Sequence, residues 1–553
     1  MVNQNPIKLT ENQKISVTVK SSKGEFFNTD ISLEYGRPPS IQILLKGEKD
    51  LTAHPFKDDH RGEYYISDFY DHSSINNAVF KYLFFGKANK DQIKKVYFTV
   101  PELSSYFQQE ISFNLDNEVN ISGKLKIEPL EARIDSLGLS VKIHQGYTLK
   151  HNDDHTGFSF QNIIYFSFES DTALSFHDIE NLMYKSISLL TWVTGYPISP
   201  DSIEVSDGDK KAYLYLPLVK KIKKYDVSFP NSFMHLKFFR EYFQTICVNY
   251  FEKTEIFGDI WSRTLPLFDF TGVLEYEVML YASILDRYFS YQISALNICE
   301  SQNYESYISK VEAFLRNSDD FKALLEGTDL IQKLDVKNLF PKAEDKTFMQ
   351  KQKAYFKHLG EDKFKIFIKK GDFFHIKSIR DRAAHGSKEK LDTDTVYKYL
   401  WKVKILTMYF IYMDLGIKEA DFLKMVSITF HPIAMKCEID KYLLDLATDR
   451  TILLKLEQGE KAKLENLSTK INVFDKKEDT YFFNSEISQM ASNYFSEDVI
   501  TEIDPSKFYS YEKYVQSLIN KQDIDLKTKY YSEAYLDEKK GKKLLNNVII
   551  LFS

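Results

Sequence analysis

The feature that most constrains the fold is a change of hydrophobic period near Pro230. Before it, apolar residues recur every second position. Ile15 to Val19, Val96 to Val100, Ile121 to Ile127, Leu139 to Ile143 and Ala212 to Leu218 alternate apolar with polar, and Asn162 to Phe168 is β-branched and aromatic. Gly36-Arg37-Pro38-Pro39 and Asp207-Gly208-Asp209 are turn sequences. Many short period-2 runs separated by turns predict a sheet sandwich or barrel. One helix is expected among them. Ser175 and Asp178 form a capping box, Ile179, Leu182, Met183, Ser186, Leu189, Leu190 and Val193 follow at helical spacing, and Gly195 and Pro197 end it.

Beyond Pro230 the period becomes that of a helix. Helices are expected over Phe233–Phe251, Leu274–Leu296, Tyr304–Leu325, Phe348–His358, Phe373–Ala384 and Thr393–Leu415. The remainder reads as a charge-rich mixture. The expected fold class is therefore multidomain α+β: a β-rich, sandwich-like domain at 1–228, an all-α bundle at 229–416, and a mixed α/β extension at 417–553. No internal repeat is visible.

Composition excludes several classes. At 43% hydrophobic and 27% charged residues the chain has an ordinary globular balance. Cys247, Cys299 and Cys437 are the three cysteines and form no CxxC pair, so neither a disulfide framework nor a cysteine metal site is expected. The N-terminus lacks a leader pattern, and Ile405 to Leu415, interrupted by Asp414, is too short to span a bilayer. No membrane partner is expected, and the reading is a cytoplasmic protein with an AT-rich bacterial composition. The net charge of -6 argues against non-specific coating of nucleic acid. There is no P-loop, dinucleotide-binding glycine motif, HExxH or GxSxG, and no cofactor is expected.

One stretch carries chemistry: Ile379-Arg380-Asp381-Arg382-Ala383-Ala384-His385-Gly386. Arg380 and His385 make an R-x4-H pair at the end of a helix, and Gly386 stands where a left-handed capping glycine belongs. Residues i and i+5 of a helix lie about 140° apart, so a helix ending at Ala384 would let His385 swing toward Arg380. The surroundings are basic: residues 346–390 hold 13 Lys or Arg against 5 Asp or Glu. Lys363, Lys365, Lys369, Lys370 and Lys377 interleave with Tyr355, Phe364, Phe367, Phe373 and Phe374, either as a base-stacking surface or as a helical face backed by core aromatics. A capping histidine and an ion-paired arginine are the plainer alternative for the motif itself. The run Lys220-Lys221-Ile222-Lys223-Lys224 reads as an interdomain linker or a further nucleic-acid contact.

The motif resembles the R-(polar)-x3-H signature of HEPN domains. More narrowly, a β-rich N-terminal domain followed by a motif ending in Ala-His-Gly resembles the ApeA family of anti-phage defence proteins. What the resemblance implies is a metal-independent endoribonuclease acting by abortive infection on host or phage RNA, transfer RNA included. It also implies a homodimer through the HEPN domain, whose composite site takes one motif from each chain, and a phage-derived trigger at the N-terminal domain. Arg380 and His385 would then be catalytic, with Asp381 orienting one of them. Arg382, Lys377, Lys370 and Lys369 would bind RNA. HEPN domains often place an acidic residue on an early helix, and among Glu275, Glu277 and Asp286 the last is the candidate. A non-catalytic HEPN-type dimerisation or ligand-binding module with a β-sandwich sensor domain is the alternative.

Overall fold

The structure is a computed structural model. It describes residues 8–20, 26–35, 40–44, 56–58, 62–70, 77–107, 112–115, 121–124, 129–151, 158–218, 225–228, 230–296, 309–311, 313–314, 317–318, 347–386, 392–467, 469–478, 480–495, 510–520, 526–538 and 541–552. Most of the expected helix Tyr304–Leu325, the lysine run 220–224, Gly36 to Pro39 and Cys299 lie outside the described residues. The chain divides into two compact units, Met1–Glu438 and Ile439–Ser553.

The first unit begins with strands. They are β1 (Gln13–Lys20), β2 (Phe26–Glu34), β3 (Ser40–Leu44), β4 (Phe56–Asp58), β5 (Gly62–Tyr70), β6 (Asn77–Gly86) and β7 (Lys95–Thr99). A short helix α1 (Glu102–Tyr106) follows. Then come β8 (Ser112–Leu115), β9 (Ile121–Lys124), β10 (Leu130–Ile134), β11 (Leu139–His151) and β12 (Phe158–Ser170), helix α2 (Phe176–Thr194), β13 (Ser202–Ser206) and β14 (Lys211–Tyr215). Twelve of these strands pair in the order β10-β11-β12-β7-β13-β14-β6-β3-β2-β1-β4-β5, and β5 pairs again with β6. That second pairing closes β1 to β6 into a ring. β6 is the hinge of the arrangement: β3 and β14 share one of its edges, while β5 runs along the other. At its end Gly86 has φ +136° and lies so close to Ala212 of β14 that a Cβ would come within 2.5 Å of the alanine Cα. Only glycine fits there.

Alternation explains which face is covered. In β7, Val96 and Phe98 are buried while Lys95, Tyr97 and Thr99 are half-buried. Helix α2 starts on the predicted capping box and ends on left-handed Gly195. Its Trp192 is fully buried and donates its indole N–H to Thr264 at 2.9 Å.

The helices follow: α3 (Leu236–Glu252), α4 (Leu274–Ala295), α5 (Phe348–Leu359), α6 (Asp372–His385), α7 (Thr393–Asp414), α8 (Glu419–Ile428) and α9 (Pro432–Met435). α3 is tied to β10, because the Gln244 amide exchanges two hydrogen bonds with the backbone of Arg133 at 2.9 and 3.0 Å. The Tyr412 hydroxyl of α7 donates to the Trp192 carbonyl of α2 at 3.1 Å. Sheet and helices thus share one compact unit, with no division at residue 228. The unit also extends past 416, since Phe422 of α8 is buried among the rings of Phe233, Tyr409 and Tyr412. Where α4 to α7 meet, Phe289, Phe348, Tyr355, Phe356, Phe364, Phe373 and Phe410 form one aromatic core, with Phe356 and Phe364 stacked at 3.9 Å. Burying such a side chain stabilises by about 1.5–3 kcal/mol.

The second unit is mixed, as expected of the extension. It contains α10 (Lys441–Ala447), β15 (Leu453–Leu454), α11 (Gln458–Asn466), β16 (Asn472–Lys477), β17 (Thr480–Phe483), α12 (Ser485–Tyr494), α13 (Tyr511–Asn520), β18 (Lys527–Glu538) and β19 (Gly541–Phe552). The strands order as β15-β18-β19-β16-β17. Val548 and Ile550 of β19 join one core with Leu464 of α11, while Ile549 and Leu551 join another with Ile487 of α12 and Val515 of α13. The end of β19 is covered on both faces, which is why Val548 to Phe552 is a continuous apolar run.

Candidate functional site

Helix α6 carries the motif, and both of its ends are fixed by sequence. At its start Gly371 takes φ 98°. Asp372 then accepts the Lys369 backbone N–H at 2.7 Å and pairs with Lys402 of α7, whose side chain is wholly enclosed. Phe373, Ile376 and Ile379 turn inward. At the other end Gly386 is left-handed, φ 64° and ψ 43°, and its N–H caps the Arg382 carbonyl. This is the capping role expected of Gly386.

The helix runs through His385 and does not stop at Ala384. His385 therefore keeps its helical bearing, about 140° from Arg380, and does not swing round. His385 is exposed at the helix end. Arg380 points the other way, into the seam between α4 and α5. No hydrogen bond or ion pair joins the two within the described residues of the chain.

What holds Arg380 is specific. Its Nη2 lies 3.1 Å from Oδ2 of Asp286 on α4, and the guanidinium carbon lies 5.3 Å from the centre of the Phe348 ring on α5. The other Asp286 oxygen, Oδ1, lies 3.0 Å from Nζ of Lys351 on α5. One carboxylate thus joins three helices. The side chains are 27% (Arg380), 18% (Asp286) and 12% (Lys351) exposed, so Arg380 is the most accessible of the three. Asp286 is the acidic residue that the sequence singles out on α4. Glu277 is occupied elsewhere, 2.6 Å from Lys404.

Other expected site residues fall differently. Asp381 pairs with Lys377, one turn back on the same helix, as residues four apart do. It contacts neither Arg380 nor His385, so the expected orienting role has no geometric basis within one chain. Arg382 is half-buried on the last turn. Lys369 and Lys370 are exposed, but they precede the first turn of α6. The fourteen-residue helix separates them from His385 by about 20 Å. Proximity in sequence did not become proximity in space.

The aromatic residues of the basic segment are mostly core. Tyr355, Phe364, Phe367 and Phe373 are at most 4% exposed, whereas Phe374 is 64% exposed. Phe374 alone of the five is available for stacking. Among the lysines, Lys363 pairs with Glu419 and Lys365 with Asp362. Lys388 and Lys390 lie outside the described residues.

Lys351 and Phe348 were not singled out by the sequence. They lie three apart on α5 and so share a face. That spacing was visible, but its meaning depends on how α4, α5 and α6 dock.

The first unit is an antiparallel β-rich region joined to a helical region that presents an arginine and a histidine on one helix. Residues 7–250 match the family model described as ApeA N-terminal domain 1. This stretch is therefore similar to the N-terminal domain of ApeA proteins, and the match associates it with anti-phage defence. It covers the strands of the first unit and most of α3 and ends before the helices around Arg380. No curated protein and no solved structure matches the chain. No helix among the described residues is long and apolar enough to cross a membrane.

Proposed function

We propose that this chain is an ApeA-like endoribonuclease whose activity in anti-phage defence depends on Arg380 and His385. The observation that carries the reading is the setting of Arg380. It is a guanidinium held by Asp286 and Phe348, part-exposed, one and a half turns from an exposed histidine. Arg380 would bind the scissile phosphate and stabilise the charge that builds on it in the transition state. His385 would take the proton of the 2′-hydroxyl. That oxygen then attacks phosphorus, the 5′-oxygen leaves with a proton, and a 2′,3′-cyclic phosphate and a 5′-hydroxyl remain. The RNA supplies its own nucleophile, so the scheme requires no metal ion.

The divergence of Arg380 and His385 within one chain favours a composite site. Two copies facing each other would set the arginine of one against the histidine of the other, leaving a second histidine to protonate the leaving oxygen. Arg382 and Lys377 flank this edge of α6 and would contact adjacent phosphates. Lys369 and Lys370, at its far end, would contact only a more distant part of the RNA. The N-terminal domain would receive the trigger.

The test compares wild type with Arg380→Ala and His385→Ala, reading total RNA and survival after phage challenge. Each variant is expected to lose cleavage by about 100-fold or more and to lose protection. Cleavage and protection that persist in both variants would sink the reading. Cleavage by the purified protein is also expected to survive a chelator, and products ending in 2′,3′-cyclic phosphate should accumulate.

A further inference from the structure

The trio Asp286, Arg380 and Lys351 contains one negative and two positive charges. Asp286 is largely enclosed and divides its two oxygens between the two cations. Consider what happens when Arg380 turns to a phosphate. If Arg380 were the sole partner, its departure would strand a mostly buried carboxylate, which is costly. Lys351 changes this. It sits on the other oxygen and, at 12% exposed, is the most enclosed of the three. It stays with Asp286 and keeps the carboxylate neutralised while Arg380 is free to move. The trio keeps a net positive charge, whereas the Arg380–Asp286 pair alone has none.

We propose that Lys351 is a positioning residue: by holding Asp286 it frees the Arg380 guanidinium to bind a phosphate of single-stranded RNA. This rests on the ribonuclease reading above. Lys351 acts through Asp286 and does not itself touch RNA.

The experiment uses the full chain and a fluorescent single-stranded RNA with 2′-O-methyl sugars, which cannot be cleaved through its 2′-oxygen. Affinity is measured by anisotropy over a range of salt concentrations. Lys351→Met is expected to weaken binding about tenfold. It should also lower the slope of log affinity against log salt by about 0.7, the loss of one phosphate contact. Arg380→Ala should do the same, and Lys351→Met added to Arg380→Ala should change nothing further. Lys351→Arg should restore binding. So should Asp286→Asn combined with Lys351→Met, because without the carboxylate Arg380 needs no release. That double variant removes the charge pair together, so it serves even where Lys351→Met alone does not fold.

Additive losses in the Lys351→Met, Arg380→Ala double variant would mean that Lys351 contacts RNA directly, and the inference fails. It fails too if Asp286→Asn does not restore binding, or if Lys351→Met binds normally while Arg380→Ala does not. In that last case the ribonuclease reading stands. A wild type that does not bind the oligonucleotide overturns both.

Discussion

His431 shows how one buried side chain can make the first unit sensitive to acid. It is 2% exposed, and burial pushes its pKa down to about 3. Its Nε2 lies 3.2 Å from the Gly195 carbonyl, and its Nδ1 accepts the Ile433 N–H at 3.2 Å. Only the neutral tautomer with a proton on Nε2 satisfies both. The unfolded chain takes up a proton below about 6.5, while the folded chain resists until about 3. The stability this residue contributes is therefore complete above pH 6.5 and is lost as pH falls toward 3. His431→Gln should unfold at lower denaturant than wild type at pH 7, by about 1–3 kcal/mol for the unmet partners. The two proteins should converge as the pH approaches 4 in urea titrations, and a gap that stays constant across that range would refute the account. Nothing in the sequence marked His431, because its role depends on Gly195, which lies 236 residues earlier.

At the scale of elements, the order of α6 rests on the Asp372–Lys402 pair as much as on its apolar face. The Lys402 ammonium is fully enclosed, and Asp372 also accepts the Lys369 N–H. Lys402→Met would leave Asp372 buried with its charge uncompensated, and a loss of about 3–5 kcal/mol is expected. Lys402→Met with Asp372→Asn should recover most of it, as measured by thermal unfolding. No recovery would mean that the lysine stem, and not its charge, matters. Helices such as α2 and α6 were legible because their signals are local: Ser175 with Asp178, Gly195, and Gly386. Strands β3 to β6 carry no such local signal. Tyr82, Leu83, Phe84 and Phe85 of β6 are all at most 2% exposed, so the alternation that reveals a half-buried strand is missing. The closure of β1 to β6 depends on pairings such as Tyr65↔Phe84, which join separate segments. The Arg380–His385 motif could be read from the sequence, but Lys351 could not. A helix ending at Ala384 would have let His385 swing toward Arg380, but the helix continues one residue too far for that.

For the whole molecule, the two units differ in what completes them. In the second unit each face of the five-stranded sheet has its own cover. Leu464 of α11 packs on Phe474, Val548 and Ile550, while α12 and α13 cover Val473, Ile549 and Leu551. Its outer segments are fastened internally as well. Lys441 of α10 pairs with Glu533 of β18 at 2.7 Å, and the Thr451 hydroxyl donates to the Glu533 carbonyl at the same distance. A sheet of this size with two covered faces is enough to fold alone. A fragment spanning residues 439–553 should therefore be monomeric, show mixed α/β circular dichroism and unfold in one cooperative step. Ile549→Ala, which opens a cavity beneath α12 and α13, should destabilise it by about 2–5 kcal/mol. The same substitution in the full chain should lower one thermal transition by a similar amount and leave the other where it was. A fragment without a cooperative transition, or a single transition in the full chain that shifts as a whole, would show that the second unit depends on the rest of the protein for its fold.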